Sequence, residues 1–65
     1  MNNAKIGARL VTLRGNKPQN EVAAAVRVSR SALAMYERGE RIPRDEIKKR
    51  LSDYYKVSVQ ELFFE

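Results

Sequence analysis

Neither cysteine nor histidine occurs anywhere in this chain, and that double absence constrains it more than any single motif. A disulfide framework, a thiolate nucleophile, a histidine general base and the usual cysteine and histidine zinc sites are all excluded by composition. With 65 residues, the fold has to be held by one hydrophobic core, near the smallest size at which a core suffices. Local signals must therefore agree with one another, and they do. Apolar residues recur with the period of a helix, short breaks separate the periods, and no segment shows sustained strand alternation. The reading is one all-α domain, without a signal peptide or a membrane span. The N-terminal stretch is polar, and no apolar run approaches the roughly 20 residues that a bilayer requires.

Five helices are expected, over residues 4–14, 19–26, 29–38, 45–56 and 59–64. In the first, Ile6, Leu10 and Leu13 share one face; Asn2 or Asn3 can cap its start, and Gly15 suits its end. Gly15-Asn16-Lys17-Pro18 forms the turn into the second helix, where Val22, Ala23 and Val26 face inward. Ser29 caps the third helix, with Val28 and Leu33 placed as a hydrophobic staple; Gly39 ends it and Pro43 closes the next loop. Asp45 and Glu46 suit the positive end of the fourth helix. Its apolar face is read as Ile47, Leu51, Tyr54 and Tyr55, and the run Lys48-Lys49-Arg50 as a solvated face. Ser58 and Glu61 form a capping box for the last helix, with Val57 and Leu62 as its staple.

Charge is divided unevenly. Residues 1–44 hold nine basic and three acidic side chains, whereas residues 45–65 hold four basic and five acidic ones. A basic front suggests an anionic partner on one side, although charge alone leaves open a basic surface that is merely solvated.

The informative segment runs from Gln19 to Gly39. A short helix, a tight break at Arg27-Val28-Ser29 and a second short helix, with small Ala23 at the crossing and Leu33 packing back, fit a helix-turn-helix. With Gln19-x-x-Val22-Ala23, Val28-Ser29-Arg30-Ser31 and Tyr36-Glu37-Arg38-Gly39, the segment resembles the Cro/repressor-type helix-turn-helix regulators of bacteria and their phages, the xenobiotic-response-element family. Flanking strings match as well: Ile6-Gly7-x-x-Leu10-x-x-Leu13-Arg14 before it, and Val57-Ser58-Val59-x-Glu61-Leu62-Phe63 after it. The resemblance covers nearly the whole chain. It implies a compact bundle of about five helices, a lambda-repressor-like DNA-binding domain, in which helices 2 and 3 form the helix-turn-helix.

That resemblance puts the recognition helix, about Ser29 to Arg38, in the major groove. Arg30, Ser31, Ala34 and Met35 become the candidates for reading base edges. The chemistry agrees: arginine pairs with guanine, a hydroxyl donates or accepts, and methyl or thioether groups pack on a thymine methyl. A methionine at this spacing also serves as core filler. Gln19, Arg27, Arg38, Arg41 and Arg44 are the candidates for phosphate contact. Arg14 and Glu37 match an ion pair that ties helix 1 to the recognition helix.

Four departures stand out. The turn before Gln19 is about two residues short of the family's usual length, Pro18 replaces the usual Ser or Thr cap, and Arg27 stands where glycine is usual. A left-handed backbone at Arg27 would cost about 1 kcal/mol. Asp45 and Lys48 fall where leucines are common, so helix 4 is expected to pack through Ile47 and Leu51.

Adjacent helical residues do not share a face. If one of Phe63 and Phe64 fills the core, the other is exposed, and Val59, Phe63 and Phe64 are the candidates for a homodimer interface. The expected function is sequence-specific binding of double-stranded DNA by a cytoplasmic, nucleoid-associated transcriptional repressor, dimeric on a partly palindromic operator, without cofactor or metal. The competing class is a protein–protein module, such as an antitoxin, whose helix-turn-helix is secondary to a protein partner. An enzyme is disfavoured by the missing His and Cys, the scattered carboxylates and the lack of a phosphate-binding glycine loop. A membrane-surface role lacks a helix with a broad apolar face opposite a basic one.

Overall fold

The computed structural model describes residues 2–65. They form five helices: α1 (Asn3–Arg14), α2 (Gln19–Val26), α3 (Arg30–Glu37), α4 (Asp45–Tyr55) and α5 (Val59–Phe63). No strand occurs among the described residues. α1 packs on α3 and α5, α2 on α3 and α4, and α4 on α5. Ile6 and Leu10 of α1, Val22 and Val26 of α2, Leu33 and Tyr36 of α3, Ile47 and Leu51 of α4, and Leu62 and Phe63 of α5 converge on one core. Every helix contributes to it. This is the all-α, five-helix architecture that the periodicity predicts.

Helix starts are set locally. The Asn2 side chain accepts from the Lys5 amide at 3.0 Å, and Ser29 Oγ accepts from Ala32 N at 3.0 Å. Ser58 Oγ accepts from Glu61 N at 3.0 Å while the Glu61 carboxylate accepts from Ser58 N at 3.2 Å, completing the capping box. Pro18 provides no side-chain cap for α2, nor does Arg44 for α4. Helix spans differ from the expected ones by a residue or so because caps such as Ser29 are only half inside the helix.

Three helix ends close in one way. Val28 N donates to Ala23 O and Arg27 N to Ala24 O after α2; Glu40 N to Met35 O and Gly39 N to Tyr36 O after α3; Val57 N to Ser52 O and Lys56 N to Asp53 O after α4. These are Schellman motifs, which need a left-handed residue at the turn. Gly39 accepts that conformation at φ +74° without strain, whereas Arg27 (φ 61°) and Lys56 (φ 59°) adopt it with a side chain attached.

Two expectations for the C-terminal half change. Lys48 is not on a solvated face: it is 7% exposed. Its stem lies in the bundle and its ammonium sits 5.7 Å from the Phe63 ring centre and 5.0 Å from that of Phe64. A long aliphatic stem lets a lysine occupy a position where a leucine would fit while its charge reaches an aromatic face at the edge. Phe63, named with Val59 and Phe64 for a contact surface, is 2% exposed and belongs to the core, which leaves Phe64 at 53% as the outward ring. Val59 is half-buried against the core.

Candidate nucleic-acid interface

α2 and α3 meet across a turn of Arg27, Val28 and Ser29. Arg27 is left-handed at φ 61°, ψ 48°, which reverses the chain within one residue. Ser29 then takes an extended conformation and caps α3. Ala23 and Leu33, both buried, fill the crossing. Small size at Ala23 permits the approach, and Leu33 seals it.

α3 has two faces. Leu33, Tyr36 and Glu37 point inward. Arg30 and Ser31 are exposed and Ala34 and Met35 are half-buried. These four lie at i, i+1, i+4 and i+5, so they share one side of the helix. The structure thus gathers the proposed base-reading residues on the face of α3 that no other helix covers. Arg27 before α3, Arg38 at its end, and Arg41 and Arg44 in the following loop are all exposed. Arg27, Arg30, Arg41 and Arg44 enter no ion pair among the described residues. Arg38 does: Nε and Nη2 each donate to a Glu40 carboxylate oxygen at 3.0 Å. The sequence reading gave Glu40 no role; its signal was an acid two residues beyond an arginine, across a glycine turn.

The inner end of α3 is held by a charged hub. Glu37 has a side chain only 3% exposed. Its Oε2 accepts from Arg14 Nε at 2.7 Å, and its Oε1 accepts from Arg14 Nη2 at 3.1 Å and from Gln19 Nε2 at 2.8 Å. Arg14 Nη1 also donates to the Lys17 carbonyl at 2.8 Å. One carboxylate therefore joins the end of α1, the start of α2 and the end of α3. Hydrogen bonding to Glu37 raises the Arg14 pKa above its ordinary value despite the opposing effect of burial. Gln19, assigned to phosphate from its position, turns its amide nitrogen inward to Glu37, which fixes its orientation and leaves its side-chain oxygen without a hydrogen bond to this hub.

The turn before α2 is supported from α4. Lys17 Nζ lies 4.9 Å from the Tyr54 ring centre, and Tyr54 meets Tyr55 edge-on at 5.1 Å. Tyr55 Oη is buried without a hydrogen-bond partner among the described residues. Burial first, and the Glu37 charge second, push its pKa up to about 12. No described group of acidic side chains could hold a metal ion, and no described helix is long and apolar enough to cross a membrane.

The helix-turn-helix family profile matches residues 9–62. Among solved structures, the restriction-modification controller protein C.AhdI from Aeromonas hydrophila is 31% identical, with a TM-score of 0.82 over 92% of this chain and 94% of that one. The clp gene regulator ClgR from Corynebacterium glutamicum is 28% identical, with a TM-score of 0.83 over 95% of this chain and 68% of that one. The SOS-response transcriptional repressor LexA from Eubacterium rectale, at 24% identity, shares the fold with a TM-score of 0.89 over 98% of this chain and 70% of that one. No curated protein sequence matches the chain. With its two-helix unit, its uncovered α3 face and a profile match spanning most of its length, the chain belongs to the Cro/C1-type helix-turn-helix family of DNA-binding transcriptional regulators.

Proposed function

We propose that the protein is a cytoplasmic, nucleoid-associated transcriptional repressor that binds a partly palindromic operator as a homodimer. α3 enters the major groove, where Arg30 and Ser31 address base edges by hydrogen bonding and Ala34 and Met35 pack on thymine methyl groups. Arg27, Arg38, Arg41 and Arg44 meet phosphates and set the register, together with Gln19 at the start of α2. Two copies would place their recognition helices about 34 Å apart, one helical turn of DNA. The observation that carries this reading is the uncovered α3 face, flanked by arginines and anchored at its far end by the Glu37 hub.

Selection of bound sequences from a random DNA pool, run on the wild type and Arg30→Ala, tests it. A partly palindromic consensus that relaxes at one base pair in Arg30→Ala is the expected result. Salt-sensitive binding with no enriched sequence would reject specific readout.

A second reading, a protein–protein module such as an antitoxin, draws on the other side of the molecule. Phe64 and Val11 are exposed, and an open groove between α1 and α5 is lined by Ala8, Leu13, Val57 and Leu62 together with Lys5, Arg9, Thr12 and Glu61. A partner that copurifies through Phe64 and blocks DNA binding would favour it.

A further inference from the structure

Glu40 is an exposed acid between Arg38 and Arg41, in a segment otherwise suited to phosphate. Its carboxylate does not point at random. Both oxygens take the guanidinium of Arg38 in parallel 3.0 Å hydrogen bonds, the fork geometry in which an arginine also grips a phosphate. The backbone beneath is fixed. Gly39 turns the chain at φ +74°, and a β-carbon there would come within 2.9 Å of the Asn3 carbonyl, so the turn is pressed against the start of α1. Glu40 N donates to Met35 O at 2.9 Å and Gly39 N to Tyr36 O at 3.2 Å, locking residues 38 to 40 onto the last turn of α3. Most exposed ion pairs lose what they gain to side-chain ordering. Here a rigid turn brings the two side chains together beforehand. The pairing also raises the Arg38 pKa and lowers that of Glu40 relative to their ordinary values.

We infer that Glu40 acts as an internal phosphate mimic, occupying the Arg38 fork in the free protein so that DNA must displace it to gain that contact. The inference rests on the proposed placement of α3 in the major groove. Its consequence is a restrained affinity. A basic module makes most of its sequence-independent attraction through phosphate contacts, and competing genomic DNA vastly outnumbers any operator. An acid that competes for one of those contacts weakens every complex by a similar factor, so binding to bulk DNA is held down while base readout by Arg30 and Ser31 is untouched. Arg27, Arg30, Arg41 and Arg44, which have no such partner among the described residues, bear the first encounter with DNA.

The test is a double-mutant cycle on Glu40→Gln and Arg38→Gln, measured with the selected operator and a scrambled duplex across a salt series. Glu40→Gln should tighten binding to both duplexes by about three- to tenfold near 0.1 M salt and steepen the salt dependence by about one ion. In the Arg38→Gln background the same substitution should gain much less, because the group it frees is gone. An unchanged affinity in Glu40→Gln would overturn the inference. So would an equal gain with and without Arg38, which would mark Glu40 as a remote repulsive charge. Wild-type protein that binds neither duplex at low salt would overturn the DNA-binding reading and this inference together; binding that is intact but insensitive to Glu40→Gln would overturn this inference alone. Thermal melts of all variants should superimpose, since both side chains are more than half exposed.

Discussion

The backbone carbonyl of Glu37 lies against Gly7 so closely that a β-carbon on Gly7 would overlap it; that β-carbon would also sit 3.0 Å from the Glu37 carbonyl carbon and 3.1 Å from Gly39 N. The residue whose carboxylate gathers α1, α2 and α3 is thus also the point where the backbones of α1 and α3 touch. Gly7→Ala should destabilise the fold by about 1–2 kcal/mol, the cost of forcing backbones apart less the helix propensity that alanine adds. Urea denaturation checks it. An unchanged midpoint would show that α1 can slide away from α3 at no cost.

Glu37→Gln leaves the shape of the hub intact but removes the charge that Arg14 grips. The amide also sets a donor against the donors of Arg14 and Gln19. A loss of about 2–3 kcal/mol is expected, since the partner left behind is largely sheltered from solvent. DNA affinity should fall with it, because Gln19 and the end of α3 lose a common anchor. Chemical denaturation combined with binding to the selected operator measures both effects.

Arg27 offers a separable test of strain. Arg27→Gly relieves a left-handed side chain at φ 61° and should stabilise the fold by about 0.5–1 kcal/mol after the greater freedom of the unfolded glycine is deducted. If Arg27 meets a phosphate, the same substitution weakens DNA binding and lowers the salt dependence by about one ion. Lys56→Gly, at the matching turn after α4 with φ 59°, should stabilise similarly and leave DNA binding alone. A more stable Arg27→Gly protein with full DNA affinity would remove Arg27 from the interface.

Tyr55 gives a pH signature. Its pKa is raised from 10.0 to about 12 in the fold, chiefly by burial. The neutral phenol is the form that the native state favours. Stability from this group is fully present below pH 10, the ordinary tyrosine value, and is lost as pH rises from there through about 12. Tyr55→Phe should reduce the alkaline loss. At neutral pH it should be neutral or slightly stabilising, because the hydroxyl it removes is buried without a partner. Denaturant midpoints at pH 7, 9 and 11 for both proteins test this prediction. A large loss at pH 7 would mean that the hydroxyl has a partner in solution.

Phe63 and Phe64 should part company on substitution. Phe63→Ala empties part of a closed core and should cost about 3–5 kcal/mol. Phe64→Ser should change stability little beyond its contact with Lys48, yet weaken self-association. Sedimentation of Phe64→Ser, with and without operator DNA, reads this out. An unaltered dimer would exclude Phe64 from the interface.

Much of the fold was legible because its signals are local. Asn2, Ser29 and Ser58 cap their own helices within three residues, and the i, i+4 spacing of Ile6 with Leu10 and of Val22 with Val26 marks inward faces without knowledge of the partner helix. The family strings named Arg30, Ser31, Ala34 and Met35 as one face, because four positions at i, i+1, i+4 and i+5 on any helix lie together. Arg14 and Glu37 were paired for the same reason of resemblance. Other features depend on what packs next to what. That Lys48 lies in the bundle follows from the rings of Phe63 and Phe64 beside it at the end of α5. That Gln19 turns inward follows from Glu37, and that Gly7 must be glycine follows from a carbonyl on α3. The Arg38–Glu40 fork needs the turn at Gly39, held against α1. Sequence by itself determined the helices, most of their ends and which side of α3 turns outward, since those depend on capping and period within a single segment. Tertiary structure decided how the key polar groups are held, because Gln19 and Arg14 reach Glu37 across 18 and 23 residues of chain and the local Arg38–Glu40 pair sits on a turn pressed against α1.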